Sequence, residues 1–376
     1  MKKYSFLICF LWITATAAAA QKPVATIPFD FYGNLPYLKA GVNGSKTVWF
    51  VLDSGASGCV IDKTWAGELG LKTEGKAAGT GAGKGTYEIT YAKDATYDMP
   101  GTKLKVDSSY VIDLSSNHSQ MGRPLHGIIG YDFFKRYVVL IDYEKHVIKL
   151  YEPATFNYTG TGETVPIVLK PKTPHFTGKL KVAGREAADR EFLIDSGSGD
   201  AVDDDLIAES TAPKREIVAG VGLGQEFRSV MGPVEWLKMG KLSVENTFGV
   251  SGGKALIGGQ VLKRFTVILD YSRNQMILEP NRFYSDVFTQ DASGADLRLD
   301  TATKYFKVHS VQKNTAAEEA GLKEGDLITA IDGHPSSAFE LARVWDLFSK
   351  AGRVHRLSLL RDKNKLKITI RLHKKM

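Results

Sequence analysis

The sequence predicts a mostly β protein with two similar lobes, followed by a smaller α+β domain. Three observations favour this fold class. The tripeptide Asp-Ser-Gly occurs at residues 53–55 and 195–197, each time directly after a short apolar run. The segments that follow the two tripeptides repeat in the same order. Up to about residue 280, short apolar runs alternate with Gly, Asn, Asp and Ser turns, which is typical of β-strands.

The repeated series has four elements in each copy. Asp-Ser-Gly is followed by a glycine-rich segment, an apolar-apolar-Gly segment and a strand that ends in Asp-Tyr. The first copy has these elements at residues 53–55, 78–83, 127–130 and 137–143, and the second at residues 195–197, 219–224, 254–258 and 265–271. This order indicates an internal duplication of roughly 120 residues, the size of a small domain.

Length and composition fit an exported globular protein. The 376 residues suffice for two or three domains, and a hydrophobic content of 43% supports packed cores. Residues 1–20 combine two lysines, an apolar run and four alanines, which predicts a cleaved signal peptide and a location in the periplasm or outside the cell. An uncleaved anchor is the alternative, but the run is short for a membrane span. After cleavage we expect no transmembrane span.

Charge and cysteine content exclude other classes. The formal net charge is +7, but the basic residues are spread along the chain, so we expect no nucleic-acid partner. Cleavage would leave Cys59 as the single cysteine, so an internal disulfide is excluded and stability must come from packed cores. The histidines show no ligand spacing, and we predict no metal and no cofactor.

Changes in composition along the chain also predict the domain boundaries. The first lobe is predicted at residues 21–152, a linker with Pro and Gly at 153–163, the second lobe at 164–281 and the last domain at 285–374. A short helix is expected after each Asp-Ser-Gly loop, at residues 63–69 and 205–209. Asp62 and Asp204 precede these helices and would cap them. The acidic run Asp200, Asp203, Asp204 and Asp205 could instead be a calcium-binding loop. A capped helix start is favoured, because the alternating ligands and the glycine of a calcium loop are absent.

Asp53 and Asp195 are the candidate catalytic residues. An apolar strand that runs into an acid and a Gly turn holds a carboxylate at the edge of a core. Two carboxylates that meet cannot both ionise, so they share one proton and can act as acid and base on one water molecule. Around them, the amides of Gly55 and Gly197 can donate to the carboxylates.

The adjacent serines suggest how the pair is held. Ser54 and Ser196 can each bond the opposite loop and fix the separation of the two carboxylates. The loops differ at the next position, where Ala56 in the first loop corresponds to Ser198 in the second. A hydrogen bond from Ser198 to Asp195 would make Asp195 the more acidic member of the pair.

Residues 24–280 resemble an aspartic protease of the retropepsin (pepsin-type) group, with both lobes fused in one chain. The resemblance implies two acid-protease β-barrel lobes about a pseudo-twofold axis, each contributing one Asp to a shared site. It assigns Asp53 and Asp195 as the catalytic pair, with neither metal nor covalent intermediate.

The resemblance also implies that the glycine-rich segments are flaps that close over the substrate. Glycines suit a mobile hairpin tip. A phosphate-binding loop is the alternative, but neither segment ends in Lys-Ser/Thr. The flap residues are Gly79, Gly81, Gly83, Gly220, Gly222 and Gly224.

The last domain resembles a PDZ domain of bacterial type. The resemblance rests on the segments 316–322, 324–328 and 331–333. It implies that a peptide or a C-terminal tail adds a strand beside the helix predicted at 339–349. Asp296, in the expected carboxylate-binding loop, departs from the usual pattern and would repel a terminal carboxylate. The residues assigned to this groove are Gly294, Leu297, Leu299, Leu341, Val344 and Trp345. The alternative is a structural or regulatory appendage that binds nothing.

These observations together predict an exported, monomeric aspartic endopeptidase that acts on polypeptides. A non-catalytic protein that uses the lobes and the PDZ groove to hold peptides is the competing hypothesis. A third possibility is that each lobe pairs with a lobe of another chain.

Overall fold

The structure is a computed structural model that describes residues 21–79, 86–219 and 227–373. The predicted signal peptide lies outside the described residues, so its cleavage stays a prediction. In the described parts of the chain, strands predominate and helices are short, which confirms the mostly β fold class. Two lobes with the same strand order are followed by a smaller domain with its own sheet.

Among its described residues, the first lobe contains ten strands and three short helices. The strands are β1 (Ala25–Tyr32), β2 (Leu35–Val42), β3 (Val48–Leu52), β4 (Val60–Asp62), β5 (Thr73–Gly79), β6 (Tyr87–Met99), β7 (Thr102–Ile112), β8 (Gly127–Ile129), β9 (Val138–Asp142) and β10 (Val147–Tyr151). The helices are α1 (Lys63–Glu68), α2 (Ser115–Met121) and α3 (Tyr131–Arg136). In β1 exposed and buried side chains alternate, as expected for a sheet with one face on the core.

The second lobe repeats this set. Its strands are β11 (Glu163–Pro166), β12 (Val168–Leu169), β13 (Pro174–Val182), β14 (Ala188–Ile194), β15 (Val202–Asp203), β16 (Arg215–Ala219), β17 (Phe227–Met239), β18 (Leu242–Val250), β19 (Leu256–Ile257), β20 (Phe265–Asp270) and β21 (Gln275–Pro280). Its described α-helix is α4 (Gly259–Leu262). Strands β11 and β12 correspond to the two halves of β1.

Pairing is equivalent in the two lobes. The order is β2-β3-β8-β4-β7-β6-β5 in the first and β13-β14-β19-β15-β18-β17-β16 in the second. An additional pairing, β2 with β6 and β13 with β17, closes each set into a barrel. The duplication seen in the sequence is therefore a duplication of topology.

A sheet shared by both lobes joins them. The strands that end in Asp-Tyr, β9 and β20, pair antiparallel, and the strand order across the junction is β11-β21-β20-β9-β10-β1. One hydrophobic core continues through both lobes, from Ile27 in β1 to Leu278 in β21. The shared sheet also reaches the first Asp-Ser-Gly loop, because the hydroxyl of Tyr271, directly after β20, donates to the carbonyl oxygen of Ser54 at 3.4 Å.

The helices predicted after the two loops are present, but they differ in length. Asp62 accepts a hydrogen bond from the Trp65 amide at 3.0 Å and caps α1. In the second lobe, Asp204 caps only a 3-10 turn, Asp205–Ile207, through the Leu206 amide at 2.9 Å. Asp204 is fully buried and also accepts a hydrogen bond from Arg190 Nε at 2.7 Å, so this part of the acidic run has a structural role.

The last domain is a small sheet with two helices. Its strands are β22 (Ala295–Leu299), β23 (Phe306–Val311), β24 (Leu327–Ile331), β25 (His334–Pro335), β26 (Val354–Arg361) and β27 (Asn364–Arg371), and its helices are α5 (Ala316–Glu319) and α6 (Leu341–Phe348), with a 3-10 turn at Ser336–Ala338. The helix expected at 339–349 is α6. Strand β22 lies at one edge of the sheet.

Arg264 fixes the segment that connects the second lobe to this domain. The arginine is 2% exposed, and its Nη1 donates to the carbonyl oxygens of Phe283, Tyr284 and Asp286 at 2.6–3.1 Å. Its guanidinium lies over the ring of Phe288 at 3.6 Å. The connection is therefore packed on the second lobe.

The turn between β1 and β2 reaches across to the second lobe, and this contact leads to a testable prediction. A Cβ atom at Gly259 would overlap the carbonyl oxygen of Asn34 in that turn. We expect Gly259→Ala to lower the free energy of unfolding by about 1–3 kcal/mol, because backbone must shift to make room. Urea unfolding followed by circular dichroism measures the change.

Gly67, inside α1, provides the matched control. A Cβ there meets nothing within 4 Å, so Gly67→Ala should stabilise the protein by about 0.5–1 kcal/mol. A Gly259→Ala variant as stable as the wild type would contradict the close approach of the two lobes.

Candidate active site

Asp53 and Asp195 come together at the ends of two equivalent strands, β3 and β14. The Asp53 amide donates to the carbonyl oxygen of Ile129, and the Asp195 amide donates to that of Ile257, both at 3.0 Å. A Cβ at Gly55 would lie 2.7 Å from the carboxyl carbon of Asp195. A Cβ at Gly197 would overlap the carboxyl carbon of Asp53. Each loop thus passes directly beside the carboxylate of the other lobe.

The two serines exchange hydrogen bonds across the lobes. Ser54 Oγ donates to the carbonyl oxygen of Ile194 at 2.6 Å and accepts from the Ser196 amide at 3.0 Å. Ser196 Oγ donates to the carbonyl oxygen of Leu52 at 2.8 Å and accepts from the Ser54 amide at 3.0 Å. All of these groups are buried. The four bonds hold the strand ends that carry the two aspartates at one separation.

Each carboxylate also receives a hydrogen bond within its own loop. The Gly55 amide donates to Asp53 Oδ1 at 2.8 Å, and the Gly197 amide donates to Asp195 Oδ1 at 2.9 Å. These bonds fix one oxygen of each carboxylate. The orientation of the pair is therefore set by backbone on both sides.

The apolar-apolar-Gly segments form the floor of the site. Strand β8 runs parallel to β3, and β19 runs parallel to β14. A Cβ at Gly130 would overlap the carbonyl oxygen of Gly58, and one at Gly258 would lie 2.5 Å from that of Asp200. Glycine is required at both positions because a neighbouring loop lies directly against the backbone.

Burial raises the pKa of both aspartates. The pKa of Asp53 is raised by burial, and that of Asp195 is raised well above its ordinary value because the charge of Asp53 adds to burial. Two carboxyl groups in contact titrate as a pair and keep one proton between the two steps. Near this pair, burial also raises the pKa of Asp203, and the charges of Asp200 and Asp195 add to the shift.

The expected effect of Ser198 is wrong. Its hydroxyl accepts a hydrogen bond from the Asp200 amide at 3.3 Å and lies beside Gly258, instead of bonding the outer oxygen of Asp195. The hydrogen bond expected to lower the pKa of Asp195 is therefore absent, and the order of acidity within the pair stays a prediction. A serine hydroxyl in a turn readily bonds a local backbone amide, and here that bond determines the direction of the side chain.

Sequence reasoning missed the turns that brace the two loops. Asn34 Nδ2 donates to the carbonyl oxygen of Gly199 at 3.2 Å, and its Oδ1 accepts from Lys263 Nζ at 3.2 Å. In the second lobe, the ammonium group of Lys172 lies 5.5 Å from the ring of Tyr131 in the first. The positions correspond in the duplication. Their hairpin location was visible in the sequence, but their contacts across the lobes were not.

The predicted flap residues are only partly described. Gly79 ends β5, where a Cβ would lie 2.7 Å from the Tyr87 ring. The hairpins β5–β6 and β16–β17 carry the two glycine-rich segments. Gly81, Gly83, Gly220, Gly222 and Gly224 lie outside the described residues, and their role as flaps stays a prediction.

Comparisons with known families agree with this geometry. The aspartyl protease family model matches residues 38–133, and the PDZ domain family model matches residues 294–372. The chain combines an aspartyl protease domain with a C-terminal PDZ domain. The protease match lies within the first lobe, and the second lobe carries the same strand order and an equivalent Asp-Ser-Gly loop. No relative was found among curated proteins.

The PDZ residues assigned to a peptide groove lie partly in the PDZ core and partly against the protease domain. Leu297, Leu341 and Val344 are buried within the PDZ core. The carbonyl oxygen of Leu299 accepts a hydrogen bond from the hydroxyl of Ser119 in α2 at 2.8 Å. A Cβ at Gly33 would lie 3.2 Å from the Trp345 ring.

Helix α2 of the first lobe therefore lies where the sequence placed a bound peptide, against β22 and α6. Gly294, the remaining residue of the assigned groove, adopts φ +77° beside Thr315. PDZ domains fit peptide binding in general, but a peptide would reach these residues only after α2 moved away. Within the described residues, no helix is long and apolar enough to cross a membrane.

The cross-lobe serine bonds predict a loss of stability in Ser54→Ala. The alanine would leave the carbonyl oxygen of Ile194 and the amide of Ser196 buried without these partners. We expect the free energy of unfolding to fall by about 1–3 kcal/mol. Chemical denaturation measures it.

Ser57→Ala is the control, because Ser57 is exposed in the same loop. A surface substitution of this kind should change stability by less than about 0.5 kcal/mol. Equal stability of the two variants would contradict the importance of the exchanged bonds.

Proposed function

We propose that the chain is an aspartic endopeptidase in which Asp53 and Asp195 activate a water molecule to hydrolyse peptide bonds. The observation that carries the proposal is the placement of the two aspartates, since each carboxylate lies against the glycine of the opposite loop and has one oxygen held by an amide of its own loop. The match of the first lobe to the aspartyl protease family supports it. A single shared proton gives the pair an acid and a base at once.

The two aspartates divide the acid and base roles because the pair shares one proton. The ionised aspartate takes a proton from water as the protonated one donates to the carbonyl oxygen of the substrate. The tetrahedral intermediate then collapses: the leaving amine takes the proton from the aspartate that accepted it from water, and the other aspartate takes back a hydroxyl proton as the carbonyl re-forms. The fixed loops supply positioning, and the pair supplies general acid–base catalysis.

The substrate of this site is a polypeptide. We propose that the enzyme works as an exported monomer, on the basis of the predicted signal peptide and of two lobes in one chain that complete one site. The competing hypothesis is a non-catalytic protein that holds peptides between the lobes. The two hypotheses differ in whether the carboxyl pair is needed for cleavage.

Substitution of either aspartate should abolish most of the cleavage. We expect Asp53→Asn and Asp195→Asn each to lower kcat/KM by about 10²–10⁴-fold, because an amide cannot take or give the required proton. Cleavage of a panel of denatured proteins, followed by mass spectrometry of the products, measures this.

Asp107→Asn is the control, because Asp107 is an exposed aspartate on β7, outside the site. Equal cleavage by wild type and both active-site variants would end the proposal. Peptide binding without cleavage by the wild type would favour the non-catalytic hypothesis.

The pH dependence of kcat/KM should be bell-shaped. The rate rises as pH increases through the first step of the pair, which creates the base, and falls through the second step, which removes the acid. Both pKa values are raised above the ordinary 3.8, so both limbs should lie above that pH. Initial rates across a series of buffers of constant ionic strength give the profile. An acid limb at or below pH 3.8 would contradict the shifts.

A further inference from the structure

The turn between β1 and β2 is in contact with the PDZ domain on one side and with the second catalytic loop on the other. A Cβ at Gly33 would lie 3.2 Å from Cζ3 of Trp345 in α6 and 3.2 Å from Cε of Met121 in α2. The next residue, Asn34, donates to the carbonyl oxygen of Gly199, four residues after Asp195. The contact with the PDZ domain and the contact with the catalytic loop are therefore made by adjacent residues.

Several further contacts hold the PDZ face on the first lobe. Tyr32 is buried, and its hydroxyl donates to the carbonyl oxygen of Met121 at 2.7 Å and accepts from the Ala342 amide at 3.3 Å. Arg123 donates to Glu340 at 2.8 Å and to Asp30 at 3.0 Å, and it stacks on the ring of Tyr32 at 4.4 Å. This interface, which we call the PDZ–turn interface, comprises Asp30, Tyr32, Gly33, α2, Arg123 and the first two turns of α6.

Backbone hydrogen bonds within the catalytic loop, residues 195–199, connect Asp195 to the part of the loop that contacts the turn. The Ser198 amide donates to the carbonyl oxygen of Asp195 at 3.3 Å, and the Gly259 amide donates to that of Ser198 at 2.8 Å. Gly259 itself lies directly against the Asn34 carbonyl. The loop and the start of α4 therefore form one hydrogen-bonded unit that rests on Asn34.

The two lobes differ in how their turns are stabilised. In the second lobe, the turn at residues 170–173 closes with its own bonds, since the Lys170 amide donates to the Thr173 carbonyl at 2.9 Å and Thr173 Oγ1 donates back at 2.7 Å. In the first lobe, Tyr32 pairs with Leu35 across the turn, and Gly33 and Asn34 adopt left-handed backbone, with φ 59° and 64°. Gly33 lies beside Trp345 of the PDZ domain and Met121 of α2. The first turn therefore has a contact with the PDZ domain in addition to its own strand pairing.

We propose that Trp345 is a positioning residue of the protease, through which the PDZ domain holds Asn34 against the Asp195 loop. Displacement of the PDZ face from the first lobe, by substitution or by a peptide that takes the place of α2, lowers turnover. This inference rests on the proposed function. A shift of the Asp195 loop by even about 1 Å is enough to cost a large factor in rate.

Two substitutions on the PDZ side test the inference in the full chain. Trp345→Ala removes the ring beside Gly33. Glu340→Lys leaves the PDZ core untouched and places a cation against Arg123, so it tests the interface even if Trp345→Ala fails to fold. We expect each to lower kcat about 10-fold with unchanged KM, because the Asp pair is less well positioned. Steady-state kinetics on one denatured protein substrate provides both constants.

Matched controls separate positioning from a general loss of structure. Trp236→Ala removes a partly exposed tryptophan on β17, away from the interface, and Glu324→Lys makes the same charge change on an exposed PDZ loop. Neither should change kcat. A double variant, Trp345→Ala with Asn34→Ala, should lose no more activity than the worse single variant, because both act through one contact. Additive losses in the double variant, or unchanged kcat in both PDZ variants, would overturn the inference.

Hydrogen exchange keeps the inference separate from the proposed function. In Glu340→Lys and in Trp345→Ala, we expect faster amide exchange at Asn34 and across residues 196–199, with unchanged exchange in β13 and β14. If the wild type cleaves nothing, the proposed function fails. The exchange rates still show whether the PDZ domain holds Asn34 against the Asp195 loop. Exchange at Asn34 and in the loop that matches the wild type would refute the link in either case.

Discussion

The exchange of hydrogen bonds between Ser54 and Ser196 is the constraint on which the site depends. Each hydroxyl satisfies a backbone carbonyl and a backbone amide of the other lobe in a buried setting. Buried polar groups are costly when unpaired, so neither loop can withdraw without leaving such groups behind. The bonds exchanged by the two serines therefore set the separation of the two aspartates, because breaking them costs free energy. Their mutual repulsion is tolerated because the loops cannot relax apart.

The rest of the fold supplies a frame for that contact. The shared sheet of β9 and β20 joins the lobes, and the β1–β2 turn fixes them beside the loops. Glycines at 130, 258 and 259 permit backbone to approach backbone where any side chain would collide. The PDZ domain adds a contact with the β1–β2 turn of the first lobe, and this contact breaks the symmetry of the duplicated core.

Features that are local in sequence could be predicted, and features that depend on distant contacts could not. The paired loops, the strands that follow them and the Asp62 cap depend on neighbouring residues, so the repeated series gave them correctly. The direction of the Ser198 hydroxyl depends on a rotamer that the pattern does not determine. Contacts between Asn34 and Gly199, or between Tyr32 and Ala342, join residues 165 and 310 positions apart. A local sequence pattern does not specify contacts between distant surfaces. The contact of α2 with the PDZ groove therefore could not be predicted from the sequence.

The interlocked serines also bear on how the protein is made. A ribosome releases the first lobe long before residues 195–197 exist, and at that stage Ser54 has neither its acceptor nor its donor. A nascent or truncated chain that ends before the second loop holds one unpartnered aspartate and cannot complete the pair. The proposed active site therefore forms only after the second lobe has been synthesised.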